Sequence, residues 1–246
     1  MLNLFTKTAV CFSKEFKFYF QSKMIYLVVL AYAVLISALT FYATDFLART
    51  DSALRQFFKL QTDILPLFIP ALTMRFWSDE YKHNTLDILL SQPVPYQALV
   101  FGKFLAAWAV TGIMLISTMG IWIMSGLYMP LDNGWILSSY LVSFLMAGSL
   151  CALGGFVSAL CYNALGAFIA GLGACCVLVY VRFGAVAENL VGDRLIVKEF
   201  LSVFDFQRQF FMLIDGQVAA AALGYFGLLL AAFLGLSVWA VEYKRN

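Results

Sequence analysis

The sequence predicts an all-α fold, that of a polytopic integral membrane protein with six transmembrane helices, an N-terminal interfacial helix and a cytosolic coupling helix. Three observations carry this. Of 246 residues, 63% are hydrophobic and 12% charged, against roughly 45–50% and 25% in a soluble domain. A chain this short cannot hide that apolar excess in a water-soluble core. The charge-free runs come in lengths near the ~20 residues that cross a bilayer. The charged residues collect in the tails and in the segments between those runs.

Taken in order, residues 1–23 form an interfacial elbow helix. Phe5, Ala9, Phe12, Phe16 and Tyr19 step by four and three, and Asn3, Lys7, Lys14, Lys17 and Gln21 fall on the opposite face. Lysines on one side and aromatics on the other describe a helix lying in the membrane interface. Lys7, Phe12, Lys14, Phe16 and Lys17 mark it, with membrane lipid as the partner, and Glu15 sits on the flank with no role. The first span is 24–44. It carries no A-x-A site after it and is expected to stay as an anchor rather than be removed.

The second span, 57–74, is less apolar, with Lys59, Asp63, Pro66 and Pro70 inside it. Its prolines predict a kink and are tolerated where neighbouring helices re-satisfy the backbone. Residues 75–98 follow as a charged amphipathic insert. Ser78 is placed to cap a helix with Asp79 and Glu80 in its first turn, favoured by the helix dipole. Leu86, Leu89 and Leu90 give it an apolar face, and Pro93 and Pro95 stop it. Lys103 stands at the start of the next span, placed to snorkel to the interface.

The remaining spans are 99–124, 135–160, 164–182 and 217–241, with the turn between the fourth and fifth near Cys161, Tyr162 and Asn163. Ala147, Cys151, Gly155 and Ala159 repeat every four residues in the fourth. Gly166, Ala170 and Ala174 do so in the fifth, alongside Ala167, Gly171 and Cys175. Small residues at this spacing let helices approach closely in lipid, either against each other or at a subunit interface. Residues 183–216 form an outer segment with an amphipathic helix, marked by Phe200, Val203, Phe204, Phe211 and Ile214. The whole of 1–246 reads as a single transmembrane domain.

Six spans place both termini on one side, which the basic tails assign to the cytoplasm. The inner segments then hold nine Lys/Arg against seven outside, four of which lie in the long segment before the last span. Acidic residues run the other way, five inside and nine outside.

Several chemistries have no residues to carry them. A net charge of +2 without a Lys/Arg cluster gives nucleic acid no footprint. Outside the second span no ionisable residue sits mid-helix, where ion-coupled carriers and channels place them. His83 is the sole histidine, so no His/Asp/Glu metal cluster is available. A nucleophile–base pair has no obvious candidates, and no phosphate-binding loop is present. The five cysteines read as small packing residues. We therefore expect no catalytic, metal or cofactor site on this chain. If the protein does work, the energy comes from another chain.

The segment EYKHNTLDILLSQPV, residues 80–94, followed by Gly102 and Lys103, resembles a pattern of ABC-transporter permeases of the type 2 exporter class. That pattern reads roughly E-[RK]-x-x-G-T-L-E-x-L-L-x-x-P, then G-K. The end of the second span (70–75) and the segment 200–216 are similar to the gliding-motility-type and nitrous-oxide-reductase-maturation-type branch. Asn84 stands where glycine is usual, and Asn visits left-handed backbone more readily than other non-glycine residues. Asp87 stands in place of Glu.

The resemblance implies a permease subunit in the bacterial cytoplasmic (inner) membrane that pairs with a second permease, the same or a related chain. A separate cytosolic ABC ATPase, which binds ATP and magnesium, would drive substrate movement by docking on the coupling helix. It assigns Glu80, Lys82, Thr85, Leu86, Asp87 and Leu90 to that coupling region. The alternatives are a non-transporting scaffold that passes ATPase motion to an outer partner, and a membrane-embedded lipid-modifying enzyme.

Overall fold

The computed structural model describes residues 4–43, 50–82, 95–128, 131–181, 203–216 and 220–244. Among them every regular element is an α-helix: α1 (Leu4–Gln21), α2 (Lys23–Ala43), α3 (Thr50–Thr73), α4 (Arg75–Lys82), α5 (Tyr96–Ser117), α6 (Met119–Tyr128), α7 (Asn133–Leu160), α8 (Ala164–Tyr180), α9 (Phe206–Ile214) and α10 (Ala220–Tyr243). Among the described residues four stretches are long and apolar enough to cross a membrane: Lys23–Tyr42, Tyr96–Leu127, Asn133–Leu160 and Ala221–Tyr243. The chain is a multi-pass membrane protein.

The helix α7 sits at the centre because its side chains are small. Ala147, Cys151 and Ala159 are fully buried, and the glycines between them take close neighbours. A Cβ on Gly148 would lie 2.9 Å from Trp108 Nε1, one on Gly154 2.2 Å from Thr73 Oγ1, and one on Gly155 3.3 Å from the Phe76 ring. The small-residue repeat of α7 thus admits α3, α4 and α5 as well as α8. On α8, Ala167, Gly171 and Cys175 turn inward, with Gly171 against Pro70, whereas Gly166 and Ala170 are exposed.

The polar α3 also lies inside the bundle. Leu54, Phe57, Phe58, Leu65, Ile69 and Leu72 recur at helical spacing and are buried. The helix runs through Pro66 and Pro70 and is interrupted at Met74, whose N–H donates to the Pro70 carbonyl at 2.9 Å. By contrast α2 leaves Leu27, Leu30, Val34 and Tyr42 exposed, the surface that lipid would cover.

Local chemistry sets the other boundaries. Asp132 caps α7, accepting from the N–H groups of Gly134 (3.0 Å) and Trp135 (3.2 Å), and Asn163 caps α8 through the Leu165 N–H at 3.2 Å. The break between α7 and α8 falls on Cys161–Asn163. A break at Thr118 divides α5 from α6. There the hydroxyls of Ser117 and Thr118 donate to the carbonyls of Met114 (2.6 Å) and Leu115 (2.7 Å), offering the backbone an alternative to the helix ladder.

The outer amphipathic segment needs correction. Its helix begins at Phe206, so its buried residues are Phe206, Gln209, Phe210, Leu213 and Ile214. Val203 and Phe204 precede that helix and are exposed, and Phe200 lies outside the described residues. A helical period that includes Val203 and Phe204 puts the phase wrong, because residues 203–205 do not share the helix.

Candidate functional site

One end of the bundle gathers α1, α4, the start of α5, the end of α7 and the end of α10. The chain leaves α3 at Met74 and turns directly into α4, with no flexible residues between them. Phe76, Trp77 and Ser78 are buried against α7. The Trp77 N–H donates to Ser158 Oγ at 3.2 Å, and the Ser158 hydroxyl donates to the Met74 carbonyl at 3.1 Å. Ser158 therefore bridges the helix break and fixes the direction in which α4 departs.

Ser78 is not a cap. The helix starts three residues earlier, at Arg75, and the Ser78 hydroxyl donates back to the Met74 carbonyl. Asp79 and Glu80 are accordingly past the first turn. The cap reading failed because Ser78 precedes two acids in a pattern that also fits a helix interior.

The charged centre of this end is Lys103. It is 5% exposed, and its Nζ lies 3.2 Å from Glu15 Oε1 on α1 and 3.5 Å from Glu80 Oε1 on α4. The Trp77 ring centroid is 5.4 Å from the same ammonium. Lys103 does not snorkel. A lysine stem reaches for water only when nothing nearer neutralises its head, and here two carboxylates do. Glu15 likewise has a partner, contrary to its reading as a flank residue.

The neighbouring glycine explains how α1 comes so close. A Cβ on Gly102 would sit 2.6 Å from the Cys11 Cβ and 3.1 Å from the Phe12 backbone nitrogen, a distance that real Cβ atoms do not tolerate. Gly102 makes room for α1, and Lys103 holds it. Burial, then the Glu15 charge, pushes the Cys11 thiol up, so it stays protonated and packs as a small apolar group. Farther along α1, the Tyr19 hydroxyl donates to the Leu72 carbonyl at 2.8 Å, and burial raises its pKa well above the usual range.

A second lysine closes the other side of α4. Lys244 Nζ lies 4.2 Å from the Tyr81 ring centroid and 3.9 Å from that of Tyr162, and donates to the Leu160 carbonyl at 3.0 Å. That carbonyl is at the negative end of α7, where a cation is favoured. The Tyr81 hydroxyl donates to the Ala159 carbonyl at 3.1 Å. Burial, with Tyr162 beside it, pushes the Tyr81 phenol up to about 12, and burial lowers the Lys244 pKa.

The sequence-predicted site residues divide accordingly. Glu80 joins the Lys103 cluster and Lys82 ends α4 on the exposed side. Thr85, Leu86, Asp87 and Leu90 lie outside the described residues. On α1, Phe12 and Phe16 are half-buried and stacked at 5.4 Å, Lys7 is half-buried, and Lys14 and Lys17 are exposed. The inward face of α1 is Cys11, Phe12, Glu15, Phe16 and Tyr19, whereas Phe5 and Ala9 are exposed. The apolar period had found three of those residues. It passed over Glu15 because a carboxylate among aromatics reads as an outlier until its lysine is known.

At this end α1, α4, α5 and α7 are joined by buried or half-buried polar contacts, and α10 by the more exposed Lys244. Among the described residues no group of three or more His, Cys, Asp or Glu is placed to hold a metal. The arrangement is suited to passing force between helices. No match is found among curated proteins. A family model described as ABC-2 family transporter protein matches residues 9–245, nearly the whole chain. The chain belongs to this family of ABC transporter membrane subunits.

Proposed function

We propose that this permease subunit is driven by a separate cytosolic ABC ATPase that docks on residues 75–98. The family membership supports the class. The observation that carries the docking reading is the anchoring of α4. It follows α3 after a single residue, is hydrogen-bonded to α7 through Ser158 and Ala159, and is ion-paired to α5 through Lys103. A push on the segment that follows α4 therefore reaches several helices at once.

In this reading six helices span the inner membrane. Besides the four long apolar stretches they are α3, whose Gln61, Thr62 and Thr73 are buried against protein, and the 17-residue α8. Both termini, α1 and α4 lie on the cytoplasmic side. Two permeases pair, each with one ATPase, and ATP-driven closure of the ATPase dimer reshapes the path between them so that substrate is exported. Glu80, Lys82, Thr85 and Asp87 meet polar groups of the ATPase, and Leu86 and Leu90 fill its groove. The likeness of residues 70–75 and 200–216 supports assigning this subunit to the gliding-motility and nitrous-oxide-reductase-maturation branch.

The test is co-purification with a cytosolic ABC ATPase expressed together with this chain. Leu86→Asp puts a charge into an apolar groove, at a cost of roughly 2–4 kcal/mol, and at least about tenfold less ATPase should be recovered. Unchanged recovery with unchanged ATP turnover would remove the docking role from this segment.

A further inference from the structure

We propose that α1 is a moving part of the coupling machinery, locked to α4 and to the start of α5 by Lys103, so that the three shift as one body. This rests on the docking reading above for what moves α4, but the lock itself belongs to the permease alone.

The argument starts from charge. One ammonium stands between two carboxylates on two different helices, with Glu15 and Glu80 themselves only 19% and 21% exposed. The trio carries one excess negative charge. Without the ammonium, two half-buried carboxylates would face each other across the α1–α4 groove and repel. Lys103 therefore turns a repulsion between Glu15 and Glu80 into an ionic link between α1 and α4. Lys14, Lys17, Arg75 and Asp79 also border this groove, but Arg75 and Asp79 lie 4.0 Å apart within α4 and are more exposed.

Geometry makes the lock rigid. Gly102 brings the α1 backbone against α5, so the Glu15–Lys103 pair is short and needs no extended side chains. Tyr19 ties the next turns of α1 to the Leu72 carbonyl at the end of α3. For α4 to move alone, a buried ammonium would lose one of its two carboxylate partners. The lower-cost displacement carries α1 along. An interfacial helix that only anchored the chain would need neither the glycine seat nor the carboxylate on its inner face.

Hydrogen–deuterium exchange on the full-length permease in lipid nanodiscs tests the lock. Lys103→Met should speed exchange across α1 at least about tenfold while α8 and α10 keep wild-type rates. Lys103→Arg should restore protection. The combined variant Lys103→Met, Glu15→Gln, Glu80→Gln should recover most of it, because the repulsion is gone. Should Lys103→Met fail to fold, Glu15→Gln is the second variant, and α1 alone should loosen. Wild-type exchange of α1 in the variant that folds would overturn the lock.

In the ATPase complex trapped with ATP and vanadate, exchange in α1 should change in the wild type and not in Lys103→Met, although the ATPase still co-purifies. A wild-type α1 that does not respond to nucleotide would overturn the shared movement. Absence of an ATPase in the wild-type preparation would instead sink the docking reading and leave the lock standing on its own exchange data.

Discussion

The two ends of this bundle are held together by different chemistry. At the end that gathers α1, α4 and α10, helices are joined through a buried ammonium, a lysine resting on two tyrosine rings, and a serine bridging a helix break. At the far end most of the described joints are neutral. Phe58 packs edge-on against Trp135 and Tyr140, Thr118 hydrogen-bonds Tyr140 at 3.1 Å, and Trp135 Nε1 donates to the Ile214 carbonyl at 2.9 Å. The described ion pair there, Arg55–Asp215, is solvent-exposed. Buried ionic joints lose a great deal when one member is removed, whereas neutral joints lose little. The first end is built so that its helices do not come apart independently; the far end owes its order to packing.

The sharpest way to stress the contrast is steric. Gly154→Ala places a methyl 2.2 Å from Thr73 Oγ1 and 3.3 Å from Thr73 Cγ2. Thr73 cannot simply swing away, because its hydroxyl donates to the Ile69 carbonyl at 3.2 Å. The helix break that launches α4 must shift, at a cost of about 1–3 kcal/mol. Thermal unfolding in a fixed detergent should show the loss, and adding Thr73→Ala should recover part of it, since the two positions share one contact. A Gly154→Ala protein with wild-type Tm would mean that the α4 junction is looser than its geometry.

These joints also show what was legible in the sequence. Spans α2, α5, α7 and α10 stand out by hydropathy because lipid selects apolar residues on long helices. Helix α3 reads weakly because much of its surface faces protein: Gln61 and Thr62 are fully buried among other helices, and Asp63 accepts from Gln207 at 3.1 Å. Hydropathy measures what a helix meets on average, and a central helix meets side chains. Residues 80–94 were legible as a motif, and Gly102 and Lys103 as part of it. The roles of that last pair were not. The fit of Gly102 depends on Cys11, ninety-one positions earlier in the chain, and the partners of Lys103 come from helices whose approach no local period encodes. Thr118, likewise, interrupts an apolar run through hydroxyl bonds that composition alone does not reveal.

At the far end the predicted losses are smaller. Trp135→Phe keeps the ring near Phe58 but removes the donor to the Ile214 carbonyl, leaving that carbonyl without this partner. About 1 kcal/mol should be lost, read as a modest fall in Tm with α1 exchange unaltered. If this variant instead loosened α1, the two ends would be coupled and the contrast between them would fail.

Arg55→Ala should do least. The pair with Asp215 is short, at 2.7 Å, but its side chains are 60% and 38% exposed, so water and salt screen the attraction and offset most of it. Holding a long arginine in one rotamer costs side-chain entropy as well. A net change of about 0–1 kcal/mol is expected at low salt, shrinking further as salt is raised. The comparison with Lys103 then becomes quantitative. Both are single cations beside carboxylates at near-contact distance, and they differ in exposure and in how many helices each joins. A large, salt-insensitive loss at Arg55 would show that the far end also relies on a desolvated ion pair, and that exposure is a poor guide to which charges hold this bundle together.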